Sequence, residues 1–456
     1  MKKIILGGAI VAIAGYLGVI GYIHHYDQQR QPAVAGNAIS AIFTDHGCDY
    51  CHTTSADLPF YARLPITKQL MQYDIKTGLR YFELTPTLAA LQQGHAPPEV
   101  DLAKLESVLR QHEMPPLRYK VVHWAGELNA NARQTLLDWI QQQRVQYYTS
   151  PDAPEALRGQ AIQPIPASLP TNDQKVALGF RLYHDPRLSS DNSISCAHCH
   201  SLGAGGVDGR VTSLGVKGQQ GPINAPTVFN AVFNFTQFWD GRAHDLQEQA
   251  GGPPLNPIEM ASTSWQQIVD KLEHDAQLKS DFQRVYADGF SGTNITDAIA
   301  EFEKTLITPD SPFDRYLKGD DNALTAQQKH GYQLFRDNKC GTCHTGINLG
   351  GQSFELMGLK ADYFADRGNS TDADLGRYNV TKNDTDRHRF KTPTLRNIAL
   401  TAPYFHDGSV ATLHQAVRDM LKYQVGTTLP DSDINDLVAL LEAMTGHYQP
   451  KMLIRP

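Results

Sequence analysis

The chain has 456 residues, 41% of them hydrophobic and 20% charged, and a formal net charge of −7. This composition excludes a disordered, collagen-like or disulfide-scaffold protein. The acidic balance gives no reason to expect nucleic acid as a partner, and a length prior of about 150 residues per domain predicts roughly three domains.

Ile4 to Ile23 is a run of twenty residues without a charge, preceded by Lys2 and Lys3. At about 1.5 Å per residue such a helix spans about 30 Å, the hydrocarbon thickness of a bilayer. Lysines before the run and none just after predict a cytoplasmic N-terminus. Residues 1–23 are therefore expected to be a single-pass inner-membrane anchor, with the remaining domains in the periplasm. The rival is a cleaved export signal, whose apolar region would be shorter, about 7–15 residues. The cleavage-like Ala33-Val34-Ala35 also begins ten positions beyond the run, after polar or mixed residues.

All six cysteines fall in three C-x-x-C-H motifs: Cys48 and Cys51 with His52, Cys196 and Cys199 with His200, Cys340 and Cys343 with His344. The motif histidines stand 148 and 144 residues apart. In such a motif two thiols add across the vinyl groups of a haem, and the adjacent histidine becomes the proximal iron ligand. A redox dithiol, a zinc site or a disulfide could explain one motif. Three copies that use every cysteine of an exported chain predict three covalently bound haem c groups. A methionine as sixth ligand closes the iron for electron transfer, whereas an open position binds a substrate.

Residues 37–150 hold the first motif, then Met114-Pro115-Pro116, Tyr119, His123-Trp124 and a run ending near Trp139-Ile140. Met114, before two stiffening prolines, is the expected sixth ligand of the first haem; His112 and Met71 are its rivals. Residues 151–170 carry five prolines and are expected to be a linker. Residues 171–325 and 326–450 form a diverged repeat. Gly179-Phe180-Arg181-Leu182-Tyr183 parallels Gly331-Tyr332-Gln333-Leu334-Phe335, and Ala225-Pro226-Thr227-Val228-Phe229-Asn230 parallels Thr392-Pro393-Thr394-Leu395-Arg396-Asn397. Asp-Gly follows fourteen residues after each proline, at Asp240 and Asp407, and a leucine six residues later, at Leu246 and Leu413. The downstream offset is 167 against 144 for the haem motifs, so the second half holds about 23 extra residues. The glycine-rich stretches Gly203 to Gly206 and Gly350-Gly351 are expected to let backbone pass close to a haem. A helix-like run from Ala411 to Tyr423 carries Met420, and the first half offers Trp239, Gln249 and Glu259 instead. One module thus presents a soft closing ligand and the other acid–base groups.

Residues from about 170 to 450 resemble the bacterial dihaem cytochrome c peroxidases. The likeness rests on both haem motifs, on the runs 221–227 and 237–242, and on Thr401-Ala402-Pro403-Tyr404-Phe405-His406-Asp407-Gly408, all in the family's order. Residues 37–150 resemble small haem-binding domains of exported bacterial proteins. Together these imply a mainly α protein: three cytochrome c-like haem modules, two of them forming a dihaem peroxidase core, after one transmembrane helix. The resemblance implies a peroxidatic haem held by His200 and an electron-transfer haem held by His344 and Met420. Trp239 would lie between them, Gln249 and Glu259 would be the peroxide-site pair, and Asn224, Thr401 and Pro403 would bind a calcium ion. Many members have a histidine sixteen residues after the peroxidatic one, closing that haem at rest; here Val216 stands there. The middle haem is therefore expected to be open, with His184, His198 and His244 as ordinary histidines rather than substitutes.

The implied reaction is reduction of hydrogen peroxide to water. Electrons would come from a small redox protein, as is usual in the family, or from the quinol pool through the anchored N-terminal haem. The family tends to form homodimers. Two other readings stay open: an oxidase acting on a partner protein, as in methylamine dehydrogenase maturation, and a non-enzymatic multihaem carrier. Met420 argues against the first, because that enzyme closes its second haem with tyrosine. Val216, Gln249 and Glu259 argue against the second.

Overall fold

The computed structural model describes residues 2–450; Met1 of the expected anchor lies outside them, as do residues 451–456. The chain is mainly helical, 53% helix against 4% strand. It divides into two compact units, Met1–Tyr148 and Thr149–Pro456.

In the first unit a continuous helix runs from Lys2 to Gln28, five residues past the apolar run. No proline or glycine interrupts it after Gly21. Its segment Gly7–Gln28 is long and apolar enough to cross a membrane and is largely bare, with Ile10 60% and Val11 73% exposed. The first haem motif forms a short helix, Cys48–His52, entered through Gly47 at φ 68°. Ile39, Phe43, Leu84, Leu102, Leu109, Leu136 and Ile140 make the core behind it. The helix Pro65–Tyr81 lies against the motif at Gly78, where a Cβ would sit 2.3 Å from the Cys51 carbonyl oxygen.

The second unit contains the repeat, and its backbone repeats more closely than its sequence. Asn230 and Asn397, Phe238 and Phe405, Gly241 and Gly408 all have positive φ, at the offset of 167. The isolated antiparallel bridges Gln237 to Ala243 and Tyr404 to Val410 obey the same offset. The glycine that opens each half's signature is a helix crossing. A Cβ on Gly179 would meet the Ala298 carbonyl oxygen at 1.9 Å, so helix Asp173–Tyr183 touches helix Gly292–Glu303 backbone to backbone. Gly331 does the same at 2.0 Å from the Asp436 carbonyl, joining helices Ala326–Asp337 and Asp431–Ala443. The extra residues of the second half leave the core between two short antiparallel strands, Phe354–Leu356 and Arg389–Lys391.

The halves meet through a reciprocal exchange: the Asn224 amide donates to the His406 carbonyl at 2.8 Å, and the Lys391 amide donates to the Trp239 carbonyl at 2.8 Å. Positions 224 and 391, and 239 and 406, are equivalents in the repeat, so this contact has local two-fold symmetry.

The proline-rich stretch 151–170 packs on the rest of the second unit. Ala161 accepts bonds from the Gly346 amide (2.8 Å) and the Thr345 hydroxyl (3.0 Å), and Ile165 is fully buried. Proline removes amide donors but leaves carbonyl acceptors, and these carbonyls are what the third motif's surroundings use. The helical run carrying Met420 lies two residues later than 411–423: the Thr412 hydroxyl caps it, and its α part spans Leu413–Met420. A wide turn follows, closed by the Gly426 amide on the Leu421 carbonyl at 2.8 Å. Such i→i+5 turns mark functional positions in helices.

Candidate functional site

The three motif histidines are held alike. His52 Nδ1 meets the Phe82 carbonyl at 3.0 Å, His200 Nδ1 the Gly206 carbonyl at 3.3 Å, and His344 Nδ1 the Leu349 carbonyl at 3.0 Å. A carbonyl only accepts, so each ring carries its proton on Nδ1 and keeps the Nε2 lone pair for a metal. Burial lowers the pKa of all three imidazoles, the backbone carbonyls opposing it, so they stay neutral. The six cysteines form no disulfide. Free paired thiols beside a tautomerically fixed imidazole are the donor set of a c-type haem, and the residues fit that group.

Both acid–base candidates lie in the half that carries the second motif. Glu259 is half-buried, its Oε1 accepting from Asn256 Nδ2 at 2.8 Å. Desolvation raises its pKa; Arg242 and the Asn256 bond oppose the rise. Its charge adds a lesser part to the rise that burial gives the thiol pKa of Cys196 and Cys199. Gln249 is half-buried on the helix Leu246–Gly251, which Asp245 caps through the Glu248 amide at 2.8 Å.

Val216 is 1% exposed, and its amide donates to the Glu259 carbonyl at 2.8 Å. Next to it, a Cβ on Gly215 would lie 2.1 Å from the Ile258 carbonyl oxygen. The loop that carries position 216 is thus latched onto the loop that carries Glu259. The other histidines of this half are exposed and locally engaged. His184 Nδ1 meets the Phe180 carbonyl at 2.9 Å, His198 Nδ1 accepts the Ser195 amide at 3.0 Å, and the His244 amide donates to Glu248 at 2.7 Å.

Trp239 sits at the symmetric contact. Its indole N–H donates to the Asn224 carbonyl at 2.9 Å, and its ring lies 6.4 Å from that of His406. The Asn224 side-chain nitrogen donates to the Arg210 carbonyl at 2.8 Å, which leaves its oxygen for another partner. No hydrogen bond reaches the carbonyls of Thr401 and Pro403 among the described residues. An oxygen-only set of this kind suits a hard cation such as calcium.

Met420 is half-buried at the end of its helix. In the first unit Met114 is 40% exposed and His112 caps its helix at φ 56°. Met71 is half-buried two turns before Gly78 on the helix that touches Cys51.

Several residues were missed by sequence reasoning. Asp374 and His406 bond at 2.7 Å, both buried, and Arg367 binds Asp374 (2.6 Å) and Asp407. These acids and His406 cluster like metal ligands, but the guanidinium between the two carboxylates already supplies the cation. Glu303 is buried beside Cys196, and burial pushes its pKa up to about 8. Its position on an apolar helix face was the only signal in the sequence.

Comparison with known proteins shows the family. Residues 173–322 match the family model for di-haem cytochrome c peroxidase, and residues 15–142 match that for a haem-binding domain. The chain is 59% identical over 98% of its length to the cytochrome c peroxidase Ccp of Escherichia coli, covering 97% of that protein. It is 45% identical to the cytochrome c551 peroxidase of Pseudomonas aeruginosa, over 65% of this chain and 88% of that one. A crystal structure of a MauG-like protein associated with microbial copper homeostasis superposes with a TM-score of 0.56 at 28% identity, covering 65% of this chain and 95% of that one. The chain belongs to the di-haem cytochrome c peroxidase family and is a haem c peroxidase.

Proposed function

We propose that this is a trihaem, membrane-anchored peroxidase that reduces hydrogen peroxide in the periplasm with electrons from the quinol pool. The observation that carries the reading is the second motif. It has the same histidine cradle as the other two, but its half of the repeat carries Glu259 and Gln249, and a latched Val216 stands where a closing histidine would. Haem c, when bound, supplies the iron that cleaves the O–O bond and passes electrons.

The protein's own groups do the rest. Glu259 takes the proton from one peroxide oxygen and returns it to the other, which departs as water. The Gln249 amide donates to the peroxide and steadies charge as the bond opens. The balance is H2O2 with two protons and two electrons giving two waters. His344 and Met420 would hold a haem able to supply the second electron, with Trp239 between the modules. Asn224, Thr401 and Pro403 would hold a calcium ion at their contact. His52 and Met114 would hold the haem of residues 37–150, as an electron source for the core formed by 171–325 and 326–450. Residues 1–23 anchor the chain, and a homodimer follows the family habit.

The oxidised protein should show a high-spin haem at Cys196 and Cys199 before any reduction, read by optical and EPR spectra. A fully low-spin spectrum from that haem would refute the open site. The electron source has its own test. A short-chain quinol should reduce the haems anaerobically, and peroxide should then reoxidise them; reduction by soluble cytochrome alone would sink the quinol reading.

A further inference from the structure

One buried polar cluster takes no part in the chemistry above. Asp27, in the last turn of the helix Lys2–Gln28, accepts His123 Nδ1 at 2.8 Å and the Tyr50 hydroxyl at 2.9 Å. His123 is 4% exposed, and the Tyr119 ring stacks on it at 4.0 Å and 2°. Its Nε2 meets the Tyr61 hydroxyl at 2.8 Å. A carboxylate only accepts, so the imidazole proton is held on Nδ1 and Nε2 is the acceptor. Burial, helped by Asp27, raises the Tyr61 pKa, so the phenol keeps its proton and donates. Tyr50 lies inside the first haem motif, directly before Cys51. The cluster therefore links a base, His123, to a haem attachment point through two hydrogen bonds, by way of Asp27.

This base lies under an apolar rim. Phe60 (51% exposed) packs edge-on to Tyr22 with centroids 4.8 Å apart, and Trp124 (58% exposed) packs on Tyr16 at 6.1 Å. Tyr16 and Tyr22 belong to the segment long and apolar enough to cross a membrane. The rim residues adjoin the cluster in sequence, Phe60 before Tyr61 and Trp124 after His123. An exposed aromatic surface of this kind, continuous with a bilayer-crossing helix, faces lipid. Oxidation of a quinol needs three things together: entry from lipid, a flat apolar seat, and a proton acceptor beside a one-electron acceptor.

We propose that Phe60, Tyr61, His123 and Trp124 form a quinol-oxidation site, with the His123–Asp27 pair as its proton acceptor. The proposal rests on the quinol reading above and gives it an address. In the reaction two O–H bonds of the quinol break and a quinone forms. The two electrons leave one at a time to the ferric haem c on Cys48 and Cys51, with peroxide as the terminal oxidant. The first proton passes through the Tyr61 hydroxyl to His123 Nε2, and the Asp27 carboxylate stabilises the imidazolium. His123 releases that proton to water before taking the second.

The test uses the full-length holoprotein in nanodiscs. Anaerobic stopped-flow compares haem reduction by a short-chain quinol with reduction by a small dye mediator that needs no proton acceptor. His123→Gln should slow the quinol reaction by about 100-fold or more and leave the mediator reaction unchanged. Tyr61→Phe and Trp124→Ala, which touch the half-buried and exposed rim, should each weaken quinol use without altering the haem spectra. An azido-quinone should photolabel a peptide containing Phe60–Tyr61 or His123–Trp124. If wild type is reduced by quinol but the variants match it and the label falls elsewhere, the site is wrong and the quinol reading stands. If quinol fails to reduce wild type at all, that reading falls and the site falls with it.

Discussion

Glu259→Gln lowers kcat/KM for hydrogen peroxide by about 10²–10⁴-fold, the usual worth of a positioned general acid–base group. The c-type haem spectra stay unchanged. The substitution keeps an oxygen for Asn256 Nδ2 to bond and keeps the Val216 latch, which uses the backbone carbonyl of residue 259. A loss of turnover would therefore report lost proton transfer rather than a collapsed loop.

The pH profile is the second readout. The carboxylate is the form that takes the peroxide proton, so activity falls as pH drops through the Glu259 pKa. Desolvation has moved that pKa up, and Arg242 restrains it. The acid limb of wild type should thus lie above the ordinary carboxylate range. Arg242→Leu should move it higher still, and the glutamine variant should show no such limb. Turnover unaffected by Glu259→Gln would end the assigned role.

Arg396→Met should destabilise the second unit by about 3–5 kcal/mol, because it strands a buried carboxylate. Arg396 and Asp314 pair at 2.8 Å with both side chains 0% exposed. The same guanidinium donates to the Gln163 carbonyl at 2.8 Å and the Ile347 carbonyl at 3.0 Å. It therefore ties the segment after the first unit to the loop that follows the third haem motif. Denaturant unfolding measures the loss, and limited proteolysis should show new cleavage near residues 161–165. Removing the stranded charge as well, with Asp314→Leu, should recover part of the stability. A loss below about 1 kcal/mol in the single variant would show that the pair carries little.

How much of this was legible in the sequence depended on the range over which each constraint acts. Covalent haem attachment needs two thiols and an imidazole within five residues, so it is written locally and was plain. The repeat was plain because its offset of 167 survives in residues whose backbone is unusual, such as Asn230 and Asn397. The chain's helical class followed from the same modules. The Asp374–His406–Arg367 network was not legible, because its members meet only after the excursion between Phe354 and Lys391 folds back. The packing of residues 161–165 was not legible for a related reason. Proline content reports stiffness, and it says nothing of the carbonyls that Thr345 and Arg396 seek. Arg396 itself stands where the first half has Phe229, a swap from core ring to buried cation that only tertiary structure explains.

The reciprocal bonds between Asn224 and His406, and between Lys391 and Trp239, have the form of a dimer interface drawn inside one polypeptide. In a true homodimer every substitution at such an interface is made twice, once on each side of the axis, so the two sides stay identical. Here each side answers to its own codon. A tryptophan can occupy one arm of the symmetric contact and a histidine the other, and a proline can stand at 253 where the sister half places its methionine. Fusion of the halves is what frees the two haem motifs to take on different surroundings.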